Sequence, residues 1–231
     1  MTTQHIMVLA GGLSHEREVS LRSGSRLAQA LRATGFDVTV RDADSQLLDW
    51  VAAHRPDAAV IALHGGRGEN GSVQAVLEMT GVPFVGTESR QCRLAWDKPT
   101  AKVLLRRASH LTPDWVTLSH NAFRDFGAAG LISALGSRFA FPLVVKPYQG
   151  GSALGTVIVH EAGEMPGALV GSLAYGDVLL VERYVAGTEV AVSVIESDDG
   201  PIALPPVEIV PSGEFFDYEA RYTAGMTTYH T

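Results

Sequence analysis

Short apolar segments alternate with segments of helical periodicity through the first 85 residues, and this alternation restricts the fold more than any other feature. The apolar segments predict strands at 6–10, 36–41, 58–63 and 82–85. The segments between them predict helices, one ending near Gly35 and two more over 45–54 and 72–80. Strands joined by helices pair in parallel through right-handed crossovers. We therefore expect an α/β chain that begins with a Rossmann-like parallel sheet.

Polar turns follow two of the predicted strands, at 11–18 and 64–71. Ligands of parallel sheets bind beyond the carboxyl ends of the strands, so both turns are candidate ligand contacts. Glu16 and Glu18 lie in the predicted first turn of a helix, where the macrodipole favours a carboxylate, although this accounts for only one of them. His64 is either a hydrogen-bonded residue at a strand end or a ligand contact.

Asp42 raises a dinucleotide-binding alternative, because it ends a predicted strand where such folds place a ribose-binding acid. The first polar turn, however, lacks the G-x-G-x-x-G spacing of a dinucleotide site. This alternative is therefore disfavoured.

Composition excludes several classes of function. The net charge of −7 argues against a nucleic-acid partner, which would require a basic face. The single cysteine, Cys92, cannot form an internal disulfide, which is the usual situation in a reducing compartment. No apolar run approaches the ~20 residues that span a bilayer, and the N-terminus lacks the basic region of a signal peptide. We expect a cytoplasmic protein without nucleic-acid or membrane partners.

The stretch 139–159 predicts two strands joined by a glycine-rich turn. The apolar run 143–145 delivers Lys146 to the end of the first strand, and the turn contains Gly150, Gly151 and Ser152. An ammonium group above exposed backbone N–H groups is an arrangement that binds phosphate. The order differs from G-x-x-x-x-G-K-[ST], which disfavours a P-loop, and an ordinary hairpin with a solvent-exposed lysine stays open.

The rest of the chain predicts a second group of elements beyond a boundary near residues 90–97. These elements are a helix beginning at Trp96, strands at 115–118, 178–185 and 187–195, a helix at about 121–136, and a long loop over 215–231. Glu182 and Glu189 flank a bend between the last two strands. They could accept hydrogen bonds from a nucleobase amine and ribose hydroxyls, or they are charges that protect an edge strand.

Taken together, the motifs resemble the ATP-grasp family and, within it, the D-alanine–D-alanine ligases. Six pieces carry the resemblance in the order and approximate spacing of that family, namely GGLSHEREVSL at 11–21, LHGGRGENG at 63–71, DK at 97–98, VVKP at 144–147, VERY at 181–184 and FDYEARY at 216–222. Each piece alone is weak, whereas the six together are specific. The implied fold is an N-terminal Rossmann-like domain followed by an incomplete ATP-grasp domain.

The resemblance also implies roles for individual residues. The residues implied in ATP binding are the phosphate-binding Lys98 and Lys146, the loop residues Gly150, Gly151 and Ser152, and the nucleoside contacts Glu182, Tyr184 and Glu189. The residues implied in binding the first D-alanine are Glu16, Val19, His64 and Ser152. The residues implied in catalysis are Glu16, Ser152, Tyr222 and Arg221. Arg221 replaces the lysine of most family members, and a planar guanidinium is not an equivalent donor.

The implied reaction begins when ATP phosphorylates the carboxylate of one D-alanine. The amine of a second D-alanine then attacks the acyl phosphate, and the dipeptide serves peptidoglycan synthesis. The family's Mg²⁺ (or Mn²⁺) ligands include a Glu-x-Asn motif, which is absent from these 231 residues. We therefore expect no metal site within this chain, a C-terminal truncation relative to the family, and little activity from the chain alone.

The expected domains are a substrate-binding domain at 1–92, a small ATP-grasp subdomain at 93–180, and the start of a C-terminal ATP-grasp subdomain at 181–231. Family members are commonly dimers, so a homodimer is the implied assembly. Two alternatives stay open. One is an ATP-grasp ligase for a different carboxylate and amine, and the other is a non-catalytic protein that binds a nucleotide or an amino acid.

Overall fold

The computed structural model describes residues 3–231, which form two compact units. The first unit contains the chain up to His110 together with Gln149–Gly151, and the second contains Leu111–Tyr148 and Ser152–Thr231. Both units mix helices and strands, as expected of the predicted α/β class. The domain limits proposed at 92/93 and 180/181 stay predictions.

The first unit is built around a four-stranded parallel sheet in the order β2-β1-β3-β4. Its elements are β1 His5–Leu9, α1 Arg17–Ala33, β2 Asp37–Arg41, α2 Leu47–His54, β3 Ala58–Ile61, α3 Gly66–Glu69, α4 Ser72–Thr80, β4 Phe84–Val85, α5 Ser89–Trp96 and α6 Lys98–Arg107. The predicted parallel sheet is confirmed, and each strand lies within its predicted segment or starts one residue before it.

Burial explains why β1 is the central strand. Met7, Val8 and Leu9 have no exposed surface, so β1 contributes side chains to apolar clusters on both faces of the sheet. Helix α1 packs closely over the sheet at Gly24, where a Cβ would collide with the side chain of Ala10. The chain leaves α1 through Gly35 at φ +94°, as predicted for the residue after the helix end.

Two short helices of the first unit were not predicted. Helix α5 begins at Ser89, whose backbone N–H and hydroxyl both donate to the carboxylate of Glu78 at 2.7 Å. These hydrogen bonds lower the pKa of Glu78. Because the partner lies eleven residues away, the pattern around residues 89–96 does not reveal this helix start. Helix α3 is a single turn inside the segment predicted as a polar turn.

The second unit contains three antiparallel sheets, in the orders β5-β8-β6-β7, β13-β12-β9 and β10-β11. Its elements are β5 Trp115–Ser119, α7 His120–Phe126, α8 Ala128–Arg138, β6 Leu143–Pro147, β7 Val157–Val159, a 3₁₀ turn Ala162–Glu164, α9 Met165–Leu173, β8 Val178–Arg183, β9 Val190–Ala191, β10 Val194–Ile195, β11 Ile202–Ala203, β12 Val207–Pro211, α10 Tyr218–Tyr222 and β13 Thr227–His230.

The core of the second unit lies between the four-stranded sheet and helices α8 and α9. Leu143, Val145, Leu179 and Val181 from β6 and β8 are fully buried, and Met165 of α9 packs with them. The single helix predicted over 121–136 is instead α7 and α8, separated at Gly127, where φ is +85°. Within residues 3–231, no helix is long and apolar enough to cross a membrane.

Two predictions for the C-terminal part are wrong. The long strand at 187–195 is instead two short strands, because β9 pairs with β12 while β10 pairs with β11. The loop predicted over 215–231 contains α10 and β13. Helix α10 is capped by Asp217, which accepts from Ala220 N at 2.8 Å, and β13 pairs with β12 along four residues. Pairing with residues elsewhere in the chain therefore decides β9, β10 and β13, whereas α10 begins at a local cap.

Candidate active site

The predicted ligand edge of the first unit places a buried carboxylate beside a glycine turn. Glu16 is only 2% exposed, immediately before α1. A Cβ on Gly65 would collide with the Glu16 carboxylate, and the φ of Gly65 is +64°. Only glycine suits both the close approach and this backbone conformation. The turns after β1 and β3 therefore meet, as expected for the carboxyl edge of a parallel sheet.

Serine hydroxyls connect these two turns. Ser20 Oγ accepts from Gly11 N and donates to the carbonyl of Ala62, both at 2.8 Å. Ser14 Oγ donates to the carbonyl of His64 at 2.6 Å. The ring of His64 contacts Ser23 Oγ through Nε2 at 2.9 Å. These hydrogen bonds hold His64 at the strand end, and its role as a ligand contact stays a prediction.

A cavity of about 210 Å³ opens between the same turns. His64 and the glycines Gly11, Gly12, Gly65, Gly66 and Gly68 contribute to its lining. Val19, also predicted to contact substrate, is buried on α1 and is not among the lining residues.

Asp42 holds the first glycine turn in place. Its carboxylate accepts from Gly12 N at 2.7 Å and forms an ion pair with Arg17 at 2.6 Å, while Arg17 also donates to the carbonyl of Gly12. Burial alone would raise the pKa of Asp42, but the hydrogen bonds from Arg17 and Gly12 outweigh it and lower that pKa. These contacts give Asp42 a structural role and remove the main reason for the dinucleotide alternative.

Lys98 lies on the glycine-rich turn, and its predicted contact with phosphate stays a prediction. It is the first residue of α6, which Asp97 caps by accepting from Thr100 N at 2.9 Å. The Lys98 ammonium donates to the carbonyl of Gly150 at 2.8 Å. Gly151 lies so close to Glu69 that a Cβ would come within 2.9 Å of its carboxylate. Sequence reasoning missed Glu69, whose only signal was its position in the polar segment 64–71.

In the second unit, Lys146 forms a salt bridge with Glu182. Val144 of β6 is paired with Glu182 of β8, and Lys146 is two residues further along the same face of β6. Glu182 is only 6% exposed, so its carboxylate is withdrawn from water beside the ammonium. The hairpin is therefore not an ordinary one with a lysine in solvent. The predicted contact of Glu182 with adenine stays a prediction.

Ser152 and Tyr222 also meet, across 70 residues of sequence. Their hydroxyls lie 2.7 Å apart, and Ser152 has a φ of +51°. Tyr222 ends α10, the helix that sequence reasoning assigned to a loop. The predicted participation of Glu16 in this hydrogen-bonded set stays a prediction, because Glu16 belongs to the first unit.

The remaining predicted residues of the second unit have different surroundings. Tyr184 is exposed, and its N–H donates to the carbonyl of Pro142 at 3.2 Å. Glu189 is exposed, and its carbonyl accepts from Ile209 N at 2.9 Å. The guanidinium carbon of Arg221 lies 4.0 Å from the centre of the Phe216 ring, a contact that was not predicted. The part of the chain that the structure describes contains no group of three or more His, Cys, Asp or Glu suited to a metal ion.

The parallel sheet of the first unit, the antiparallel sheets of the second and the lysine-bearing strand β6 define an ATP-grasp protein. The family profile described as "D-ala D-ala ligase C-terminus" matches residues 104–231. A D-alanine–D-alanine ligase of Anaeromyxobacter dehalogenans strain 2CP-C is 40% identical over 228 residues, which are 99% of this chain and 71% of the relative. The chain belongs to the D-alanine–D-alanine ligase family.

Solved structures of the same family share the fold. The D-alanine–D-alanine ligase of Bacillus anthracis has a TM-score of 0.77 and 31% identity, over 99% of this chain and 71% of its own. Another structure of that enzyme, complexed with ATP, has a TM-score of 0.75 and 28% identity, over 99% and 70%. The D-alanyl-alanine synthetase A of Vibrio cholerae has a TM-score of 0.82 and 26% identity, over 99% and 74%. The likeness thus extends over both units of the chain.

Proposed function

We propose that this chain serves the ATP-dependent joining of two D-alanine molecules through a D-alanyl phosphate, for peptidoglycan synthesis. The observation that carries this proposal is the Lys98 ammonium on the turn that contains Gly150 and Gly151. A positive charge next to glycine backbone suits a triphosphate, and phosphoryl transfer depends mainly on positioning and charge neutralisation. The names of the relatives, and the ATP complex of the Bacillus anthracis enzyme, support the same reaction.

The first step is phosphoryl transfer. A carboxylate oxygen of the first D-alanine attacks the γ-phosphorus of ATP, and the bond to the ADP oxygen breaks. Lys98 and Lys146 bind phosphate oxygens in this proposal, with Glu182, Tyr184 and Glu189 towards the nucleoside. The buried Glu182 also keeps the Lys146 side chain at a defined position on β6, so that less ordering is required when the nucleotide binds.

The second step forms the peptide bond. The amine of the second D-alanine attacks the acyl carbon, and phosphate leaves as the tetrahedral intermediate collapses. Glu16 binds the ammonium of the first D-alanine by a charge-assisted hydrogen bond, with Val19 and His64 nearby. The Ser152–Tyr222 hydrogen bond ties the glycine-rich loop to α10. In this proposal that loop keeps water away from the acyl phosphate.

Mg²⁺ or Mn²⁺ is the expected companion of ATP and neutralises phosphate charge when it is bound. Residues 3–231 contain no group of three or more His, Cys, Asp or Glu that could hold a metal ion. No step of this proposal therefore uses a metal ligand from these residues. We place the reaction in the cytoplasm and in a homodimer on the strength of the family resemblance. The domain limits at 92/93 and 180/181 belong to the same proposal.

The test compares Glu16→Gln with Glu18→Gln, which removes the same charge from an exposed neighbour on α1. Because little activity is expected from the chain alone, both variants are tested in a chain extended at its C-terminus to the length of its relatives. ATP binding is measured by calorimetry with magnesium present, and ADP formation is measured against D-alanine concentration. Glu16→Gln should raise the D-alanine requirement about tenfold or more with ATP affinity kept, since hydrogen bonds to charged groups contribute ~1.5–3 kcal/mol. Glu18→Gln should change neither quantity.

The outcomes also separate the alternatives. ATP binding without any D-alanine-dependent ADP formation would favour a non-catalytic binding protein. ADP formation with another amino acid, but not with D-alanine, would favour an ATP-grasp ligase that joins a different carboxylate and amine. An unchanged D-alanine requirement in Glu16→Gln would remove Glu16 from the substrate site.

A further inference from the structure

The guanidinium of Arg221 lies against an aromatic ring. Its central carbon lies 4.0 Å from the centre of the Phe216 ring, well within the range of a cation–π contact. The Nε–H of Arg221 is buried and has no hydrogen-bond partner among the described residues. The Nε–H is therefore a hydrogen-bond donor that the described residues leave unsatisfied.

The Phe216 ring is itself fixed from several elements. It is 6% exposed and packs in a small apolar cluster with Ile209 of β12 and Ala220 of α10. Tyr229 of β13 contacts it edge to face, with ring centres 6.3 Å apart and planes at 84°. An aromatic ring held by two strands and a helix offers a surface of constant orientation.

The backbone that carries Arg221 is held as well. Asp217 caps α10 by accepting from Ala220 N, and Thr227 Oγ1 donates to the carbonyl of Ala220, each at 2.8 Å. Arg221 N donates to the carbonyl of Asp217 at 3.1 Å. Both ends of the Arg221 side chain are therefore restrained, the backbone by α10 and the guanidinium by Phe216.

We propose that Phe216 is a positioning residue that fixes the plane of the Arg221 guanidinium for a phosphate oxyanion of the reacting nucleotide or acyl phosphate. This inference rests on the proposed function. A guanidinium is planar and weakly hydrated, so it stacks on a ring and presents its donors in a fixed fork, whereas an ammonium has no plane to orient. Fixing the fork before the oxyanion arrives reduces the ordering that binding requires. Arg221 would contact the phosphate, and Phe216 acts only through it.

The first test measures the environment and mobility of the Arg221 guanidinium in the absence of nucleotide. In ¹⁵N NMR of the whole chain, the Arg221 Nε–H signal is assigned by its loss in Arg221→Lys. The wild-type signal should show a ring-current shift and restricted motion. Phe216→Leu should abolish the ring-current shift and the restricted motion, and Phe216→Tyr should retain them. Phe215→Leu, which changes the neighbouring ring, should leave both properties as in wild type. An Arg221 signal as mobile in wild type as in Phe216→Leu would overturn the proposal.

The second test is a double-mutant cycle on ATP affinity, at a temperature where every variant is folded. Phe216→Leu should weaken ATP binding about fivefold, because a side chain that is no longer fixed costs ~1 kcal/mol to order on binding. In the Arg221→Ala background the same change should have no further effect, since a structural role of Phe216 would act in both backgrounds. Equal effects in both would contradict the proposal. Absence of ATP binding by the wild type would count against the proposed function, while the NMR result still decides the role of Phe216.

Discussion

Tyr218 and Tyr222 lie on one face of α10 but differ in the hydrogen bonding of their hydroxyl groups. Tyr222 and Tyr218 contact each other edge to face, with ring centres 4.9 Å apart, but only the Tyr222 hydroxyl has a hydrogen bond to Ser152, at 2.7 Å. Tyr222→Phe should lower the free energy of unfolding by ~1 kcal/mol, the net contribution of one hydrogen bond. Urea denaturation followed by circular dichroism measures this change.

Tyr218→Phe is the matched control, because it removes the same atom from the neighbouring ring. Its effect should lie within about 0.5 kcal/mol of zero, as for most surface changes. Equal losses in the two variants would show that the hydrogen bond to Ser152 adds nothing beyond the general effect of removing a tyrosine hydroxyl from α10.

Individual site residues were predictable where their role depends on a local pattern. Lys146 and the turn with Gly150 and Gly151 follow from an apolar run, a lysine and glycines in immediate succession, and the structure places Lys98 on that turn. Phe216 and Glu69 were not predicted as site residues. Phe216 lies against the Arg221 guanidinium and Glu69 lies beside Gly151, and no spacing in the sequence indicates these neighbours.

At the scale of elements, the parallel sheet of the first unit was predictable because each strand and helix has its own periodicity. Strands β9 and β10 were not, because a change of pairing partner divides one β-branched segment, 190–195, into two short strands. Helix α10 was also missed. A five-residue helix has too few residues for a periodic signal, and its stability comes from the Asp217 cap and the buried Phe216.

The packing of α1 on β1 gives a prediction at the same scale. Gly24 lies against Ala10, which is 1% exposed, and an added Cβ would collide with it. Gly24→Ala should therefore destabilise the protein by about 1–3 kcal/mol, as overpacking does, in spite of the better helix propensity of alanine. Chemical denaturation of the purified variant measures the loss.

Gly171 supplies the control, because it is an exposed glycine of α9 with no atom within 4 Å of an added Cβ. Gly171→Ala should stabilise the protein by about 0.5–1 kcal/mol through helix propensity alone. The two identical substitutions should thus have opposite signs. A stabilising effect at Gly24 would mean that α1 can move away from the sheet without loss.

At the scale of the whole molecule, the connections after β1 and β2 are joined by one ion pair. Asp42 follows β2, and its carboxylate binds both Gly12 N and Arg17, at the start of α1. The pKa of Asp42 in the folded protein is lowered, because the hydrogen bonds from Arg17 and Gly12 outweigh the effect of burial. Folding stability must therefore depend on pH through this carboxylate.

The sign of that dependence follows from proton binding. In the unfolded chain an aspartate has a pKa of about 3.9, above the lowered value of folded Asp42. Between these two values the unfolded chain binds a proton that the folded chain does not, so stability rises with pH. The contribution of Asp42 is complete above about pH 4 and is lost as the pH falls through the folded-state pKa.

Asp42→Asn should consequently be less stable than wild type at neutral pH, and the difference should shrink as the pH falls below about 4. Urea midpoints from pH 2 to 7, followed by far-ultraviolet circular dichroism, measure the two curves. Asp49→Asn, which removes the same charge from an exposed position on α2, should stay within about 0.5 kcal/mol of wild type at neutral pH. A constant difference between Asp42→Asn and wild type over the whole range would mean that Asp42 acts through its shape and hydrogen-bonding geometry rather than its charge.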